Sequence, residues 1–172
     1  MVANKAIPKI TLVRLERDEL PEFMKIFEEA AARGELGNVL PPKSLAELLE
    51  IYDKHKPDYF LVKNAEKLEG IKTGEVVGVG AAYADKKQKT GLIFNQFVMA
   101  KFRKKGFGTA IVRGLENHLI RNGMTRINAN IRWNYWKQLR RAFRSGYRPL
   151  LWPTLRLFGG KLHFKLSKKI RG

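Results

Sequence analysis

Apolar and polar residues alternate along KITLVRLER (residues 9–17), the period of two that a half-buried strand shows. The period changes to 3.6 in DELPEFMKIFEEAAARG, where Leu20, Phe23, Met24, Phe27 and Ala31 share one helical face, Asp18 is placed to cap the first turn and Pro21 sits inside it. Beyond GNVLPP, Ser44 and Glu47 form a capping box ahead of Leu45, Leu48, Leu49 and Tyr52, and Pro57 ends this second helix. DYFLVKNA, GEVVGVGAAYADKK and GLIFNQFVMA predict a three-strand meander connected through EKLEGIKTG and KKQK. A third helix starts within AKFRKKGFGTAIVRGL (residues 100–115) and runs to about Gly123, a left-handed stop. TRINANIRW alternates again, with Ile127, Ala129, Ile131 and Trp133 on one side. Asn134 is a good cap for NYWKQLRRAFRS, a short helix with Trp136, Leu139 and Phe143 expected inward and Lys137, Arg140, Arg141 and Arg144 forming a basic face. LLWPTLRLFGGKLHFKLSKKI predicts a hairpin turning at Gly159 and Gly160.

The order β-α-α-β-β-β-α-β-α-β-β predicts an α/β (α+β) fold: a mixed, mostly antiparallel central sheet of about seven strands flanked by four helices, with one β-α-β unit around residues 100–115. At 172 residues, with no repeat and no linker, the chain is expected to form a single domain over 1–172. No apolar run reaches a membrane span, and MVANKAIPKITLV has neither the h-region nor the cleavage site of a signal peptide, so the expected location is cytoplasmic with no membrane partner. Zero cysteines exclude disulfides and thiolate metal sites, and three histidines offer no metal-site pattern.

Charge changes the picture. Residues 1–85 carry 12 basic and 15 acidic side chains, whereas residues 86–172 carry 22 basic side chains against one acid, Glu116. The net charge of +18 is therefore the property of one half of the chain. Such a polycation calls for an anionic partner, whether nucleic acid, a membrane surface or a phosphorylated small molecule, unless it is only a solvated surface.

Gly106 and Gly108 stand between a strand end and a helix, behind Arg103, Lys104 and Lys105. Bare backbone at a helix N-terminus lets free N–H groups meet a phosphate, and the cations and the helix dipole add to the attraction. The pattern is not a dinucleotide fingerprint, because Ile111 stands where a third glycine is needed, and it lacks the Gly-Lys-Ser/Thr ending of a P-loop. An ordinary tight strand-to-helix turn has the same bare motif.

Over nearly its whole length the chain resembles the GNAT superfamily of acyl-CoA-dependent N-acetyltransferases. The resemblance rests on Arg103, Gly106 and Gly108 after FVMAKF, on Asn134 at the start of the next helix, and on Gly146-Tyr147 at the place of a closing Gly-Phe. It implies that acetyl-CoA is the cofactor. The amides of Lys104, Lys105, Gly106, Phe107, Gly108 and Thr109 would hold the pyrophosphate, Phe97, Val98 and Met99 would pair with the pantetheine as an extra strand, and Asn134 would bond the cofactor arm. Direct attack of a primary amine on the thioester, in a ternary complex, is the reaction implied, with a main-chain N–H near Val98 for the oxyanion. The sequence departs from the family at two places. Its frequent tyrosine falls on Ala142, and the strand before the loop offers Asn95 and Gln96 in place of an acid. Tyr135 and Tyr147 are then the nearest candidates for the general acid, and Asn95, Asn128 and Asn130 for contacts with an amine acceptor, which the sequence does not identify. A second reading keeps the scaffold with weak or no transfer and assigns the basic half to nucleic acid or the ribosome. Monomer and homodimer are both compatible with the sequence.

Overall fold

The computed structural model describes residues 6–36, 41–132, 135–150, 155–158 and 161–170. Eight strands form one sheet: β1 (Ile10–Leu15), β2 (Asp58–Asn64), β3 (Val76–Asp85), β4 (Thr90–Val98), β5 (Arg126–Arg132), the two-residue β6 (Arg148–Pro149), β7 (Leu155–Phe158) and β8 (Lys161–Lys169). Four helices accompany them: α1 (Leu20–Ala32), α2 (Leu45–His55), α3 (Phe107–Arg121) and α4 (Trp136–Arg144). The strand order is β1-β2-β3-β4-β5-β8-β6, with β7 paired to the other part of β8. All neighbours are antiparallel except β4 and β5, which α3 connects as a parallel crossover. The expected sheet of about seven strands is thus present, and β6 is the addition. Among the described residues no helix is long and apolar enough to cross a membrane.

Helices cover both faces. Phe23, Phe27, Leu48 and Tyr59 build a core under α1 and α2, while Phe60, Ile111, Leu115, Ile127 and Leu139 build another under α3 and α4. The middle strand β3 is buried over Val77–Ala82 because it lies between these two layers, which is why its sequence is apolar throughout rather than alternating. Ile111, Leu115 and Leu119 of α3 are almost wholly buried, and each contributes roughly 2 kcal/mol of burial. The helix sits close to the sheet, since a Cβ on Gly80 would stand 2.9 Å from Leu115 Cδ1. His118 Nε2 also meets Asp58 Oδ2 of β2 at 2.8 Å. These contacts fix where the N-terminus of α3 lies.

Several local expectations shift. Residues 17–19 form a 3-10 turn, so Asp18 lies inside it and Glu19 becomes the cap of α1; Glu19 Oε2 accepts from the Glu16 N–H at 2.8 Å. Ala30, not Ala31, completes the buried face of α1. Ser44 Oγ accepts from the Glu47 N–H at 3.2 Å, which is one half of the expected box, whereas the Glu47 carboxylate accepts from the Lys43 N–H and not from that of Ser44. The cap of α4 is Tyr135. Asn134 and Trp133, and the turn at Gly159 and Gly160, lie outside the described residues, although Phe158 pairs with Lys161 across that turn. Leu139 and Ala142 form the inward face of α4, while Trp136 is 69% and Phe143 37% exposed, contrary to the expected phase. Nine residues at a sheet edge can rotate by tens of degrees around the same buried leucine, which sequence periodicity does not resolve.

Candidate active site

β4 and β5 run side by side only as far as the Ile93–Ala129 pair. Beyond it β4 stays with β3 and β5 stays with β8, so the sheet opens into two halves. The cause is a bulge. Between the Ala81–Phe94 and Val79–Phe97 pairs, Gly80 faces both Asn95 and Gln96, and Asn95 takes a φ of 49°. A bulge bends its strand and raises the local twist, which turns Phe94–Val98 away from β5. The Met99 N–H is donated to the Val77 carbonyl at 3.1 Å. Strand alternation therefore turns the main-chain groups of Val98 to the other edge, toward the opening. There the Val98 carbonyl accepts from Arg103 Nε at 3.1 Å.

The loop between β4 and α3 curls beside this opening. Lys104 (φ 62°) and Gly106 (φ 93°) are both left-handed, and left-handed residues interleaved with ordinary ones gather successive N–H groups on one concave side. Among the described residues no protein group accepts from the N–H of Lys104, Lys105, Gly106, Phe107 or Gly108. Thr109 and Ala110 both donate to the Gly106 carbonyl, at 2.9 and 3.1 Å. The expected run of amides over 104–109 therefore closes at Gly108, and Thr109 is spent inside the first turn. Five consecutive free donors at the positive end of a 15-residue helix suit an anion with several oxygens, such as a diphosphate.

The two glycines have different causes. Gly106 has a left-handed backbone, and a Cβ on it would stand 2.8 Å from Pro8 Cδ. The fold itself needs that glycine. Gly108 has an ordinary backbone; its missing Cβ faces Arg141 Nη1 at 3.3 Å and Val98 Cγ2 at 3.7 Å. It keeps open the corner enclosed by α3, β4 and α4, a cradle that a side chain would fill.

The cations also divide. Arg103 was expected to add charge to the loop, but its Nη2 donates to the Glu35 carbonyl and its guanidinium lies 5.3 Å from the Phe97 ring centre. Together with the bond to Val98 this fastens the loop to β4 and to the end of α1. Lys101 is paired with Glu75 at 2.7 Å. Lys104 and Lys105 are exposed and carry no ion pair among the described residues, so they and Arg141 are the charges left for an anion. Phe107 is buried edge-on against Phe102, centres 6.0 Å apart, and offers the site only its N–H. Phe97 is buried against Phe27.

On β5, Ile127, Ala129 and Ile131 pack toward α3, so Asn128 and Asn130 face the α1–α2 side where the strands part. Asn128 Oδ1 is buried without a hydrogen-bond partner. Asn95 stands at the bulge on the opposite bank. Tyr135, half-buried, begins α4. Tyr147 is placed differently from what a general acid at the opening needs. It is 3% exposed and donates its hydroxyl to Glu116 Oε1 at 2.8 Å, on α3 about 13 Å along the axis from the loop at 1.5 Å per residue. Burial first, and then the Glu116 charge, push its phenol well above the ordinary tyrosine value. Lys168 Nζ holds Glu116 Oε2 at 2.9 Å, so the single acid of the basic half is a buried strut. Sequence reasoning missed that role, although the isolation of Glu116 among cations pointed to it, and missed Arg141 as the residue facing Gly108.

The acetyltransferase (GNAT) family matches residues 20–147, which include the split, the loop and α4, and the chain belongs to this family. Among solved structures, the chain is similar to a chimera of spermidine N-acetyltransferase SpeG from Vibrio cholerae and hSSAT, at 19% identity, TM-score 0.67 and coverage of 93% of this chain and 95% of that one. It is also similar to Ard1 from Thermoplasma volcanium (12% identity, TM-score 0.68, 95% and 99% covered) and to an IAA acetyltransferase from Bacillus cereus (15%, 0.65, 94% and 100%). At such identities these neighbours share the fold. Comparison with curated protein sequences gives no match.

Proposed function

We propose that the protein transfers an acetyl group from acetyl-CoA to a primary amine by direct attack. The observation that carries this reading is the run of five free N–H groups over residues 104–108, with Arg141, Lys104 and Lys105 beside it. Those amides would hold the diphosphate of CoA, and the free edge of β4 at Val98 would receive the pantetheine arm as a neighbouring strand. Acetyl-CoA, when bound, supplies a thioester carbonyl for the amine.

The residues of the chain do the rest. The Val98 N–H, turned toward the opening by strand alternation, would stabilise the oxyanion. Asn128 and Asn130 line one bank on the α1–α2 side and Asn95 stands at the bulge on the other; they orient the acceptor through neutral hydrogen bonds, and the unpartnered Asn128 Oδ1 can accept from the amine. Tyr135 is the hydroxyl we assign to protonating the departing thiolate, and the proton shed by the amine nitrogen returns to its phenolate through solvent. Holding both reactants in one cleft supplies most of the acceleration, consistent with a site that lacks an acid on β4.

The test is release of free CoA thiol from acetyl-CoA in the presence of a panel of amines, followed colorimetrically. The chain has no cysteine, so it gives no background. Amine-dependent thiol release, with the acetylated amine found by mass spectrometry, supports the proposal; a CoA complex without turnover over a broad amine panel contradicts it. Tyr135→Phe is expected to lower kcat with KM nearly unchanged.

A further inference from the structure

Trp136, Arg140, Phe143 and Arg144 fall at i, i+4, i+7 and i+8 on an exposed face of α4 that adjoins its buried Leu139. They line a groove of about 700 Å³ together with Arg148. Among the described residues nothing is packed over this face, although it carries two of their three exposed large apolar side chains. Arg148 is held in place by its Nη1, which donates to the Phe143 and Tyr147 carbonyls at 3.1 and 3.0 Å. No carboxylate among the described residues pairs with Arg140, Arg144 or Arg148, and Glu116 is engaged by Lys168 and Tyr147.

Arg148 also lines a second groove, of about 1020 Å³, in which Arg113, Arg126 and Lys169 stand without ion pairs among the described residues. The two grooves share Arg148, and neither is lined by a residue of the loop at Gly106. Arg141, one residue along α4 from Arg140, turns instead to Gly108 and belongs to the acetyltransferase cleft.

We propose that this track binds single-stranded nucleic acid, with unpaired bases stacked on Trp136 and Phe143 and phosphates on the arginines. Two rings seven residues apart stand about 10.5 Å apart along the helix, with arginines between and beside them, which suits a strand presenting bases and phosphates in turn. A duplex keeps its bases stacked on each other and leaves the rings nothing to receive. An anionic membrane would need a continuous apolar strip to insert, whereas here each ring is flanked by a cation. The proposal does not depend on whether acetyl transfer occurs.

The experiment is fluorescence anisotropy of a labelled 15-mer oligo(U) with the full chain between 50 and 200 mM salt, roughly the range in which phosphate contacts are revealed. Expected are saturable binding that weakens with salt, a slope shallower by about 0.7 for each of Arg140→Ala and Arg144→Ala, and about tenfold weaker binding for Trp136→Ala. These side chains are exposed, so the variants should keep the wild-type Tm. Four results would overturn the proposal: no binding at 50 mM salt, equal affinity for a duplex, complete displacement by excess CoA, or affinity for anionic vesicles in place of the oligonucleotide.

Discussion

Tyr147 and Glu116 form a buried hydrogen bond of 2.8 Å between the end of α4 and the middle of α3. Lys168 completes it from β8, so one carboxylate ties together the two helices and the far half-sheet. This is the half of the sheet that the split separates from β4, and its attachment to α3 holds the width of the cleft. Tyr147→Phe leaves Glu116 Oε1 without its donor and should cost about 1–3 kcal/mol, visible as a fall in Tm. Because the hydroxyl is remote from the loop, kcat per folded molecule should be unchanged. A large loss of kcat at unchanged Tm would return Tyr147 to the catalytic machinery.

Tyr59 gives the opposite expectation. Its hydroxyl is buried in the α1–α2 core without a partner, so Tyr59→Phe removes an unsatisfied group and should leave stability equal or slightly raised. Thermal melts of the two phenylalanine variants side by side should separate a used hydroxyl from an unused one.

Burial pushes both phenols above the ordinary value of about 10. Above that pH the unfolded chain releases protons that the folded chain retains, so stability is complete below about pH 10 and declines as pH rises toward the folded values. Denaturation monitored between pH 8 and 11 should show this decline at its alkaline end. The Tyr59→Phe, Tyr147→Phe double variant should flatten it; an equally steep decline in the double variant would assign the effect to other groups.

The glycines of the loop should separate function from folding. Gly106→Ala forces a side chain into a left-handed backbone against Pro8 and should destabilise the fold by roughly 1–2 kcal/mol. Gly108→Val meets the mobile end of Arg141 and leaves the backbone unstrained, yet fills the corner of the cradle. It should keep its Tm and lose at least tenfold in CoA affinity by calorimetry. Unaltered CoA affinity in Gly108→Val would mean that the diphosphate lies elsewhere.

Much of the fold was legible because its signals are local. Alternation marked β1 and β5, the meander followed from its turns, and Ser44 and Gly123 marked helix ends where they occur. The loop was legible too, but the two glycines looked equivalent, since only the packing of Pro8 and Arg141 distinguishes them. The bulge at Asn95, which opens the sheet, depends on the register between β3 and β4 and leaves no mark in the strand itself. Arg103 looked like an anion ligand because sequence shows its charge but not the carbonyls of Val98 and Glu35 that occupy it. On α4, Trp136 and Phe143 looked like core by hydrophobicity alone. Their exposure is the main disagreement between the pattern and the packing, and it exposed the basic track.

The cradle itself is tested most directly by amide NMR of the 19.8 kDa chain during titration with CoA. The account predicts that the N–H resonances of Lys104, Lys105, Gly106, Phe107 and Gly108 move downfield together, saturate at one equivalent, and move little with a CoA fragment lacking the diphosphate. CoA binding that leaves these five resonances in place would contradict it.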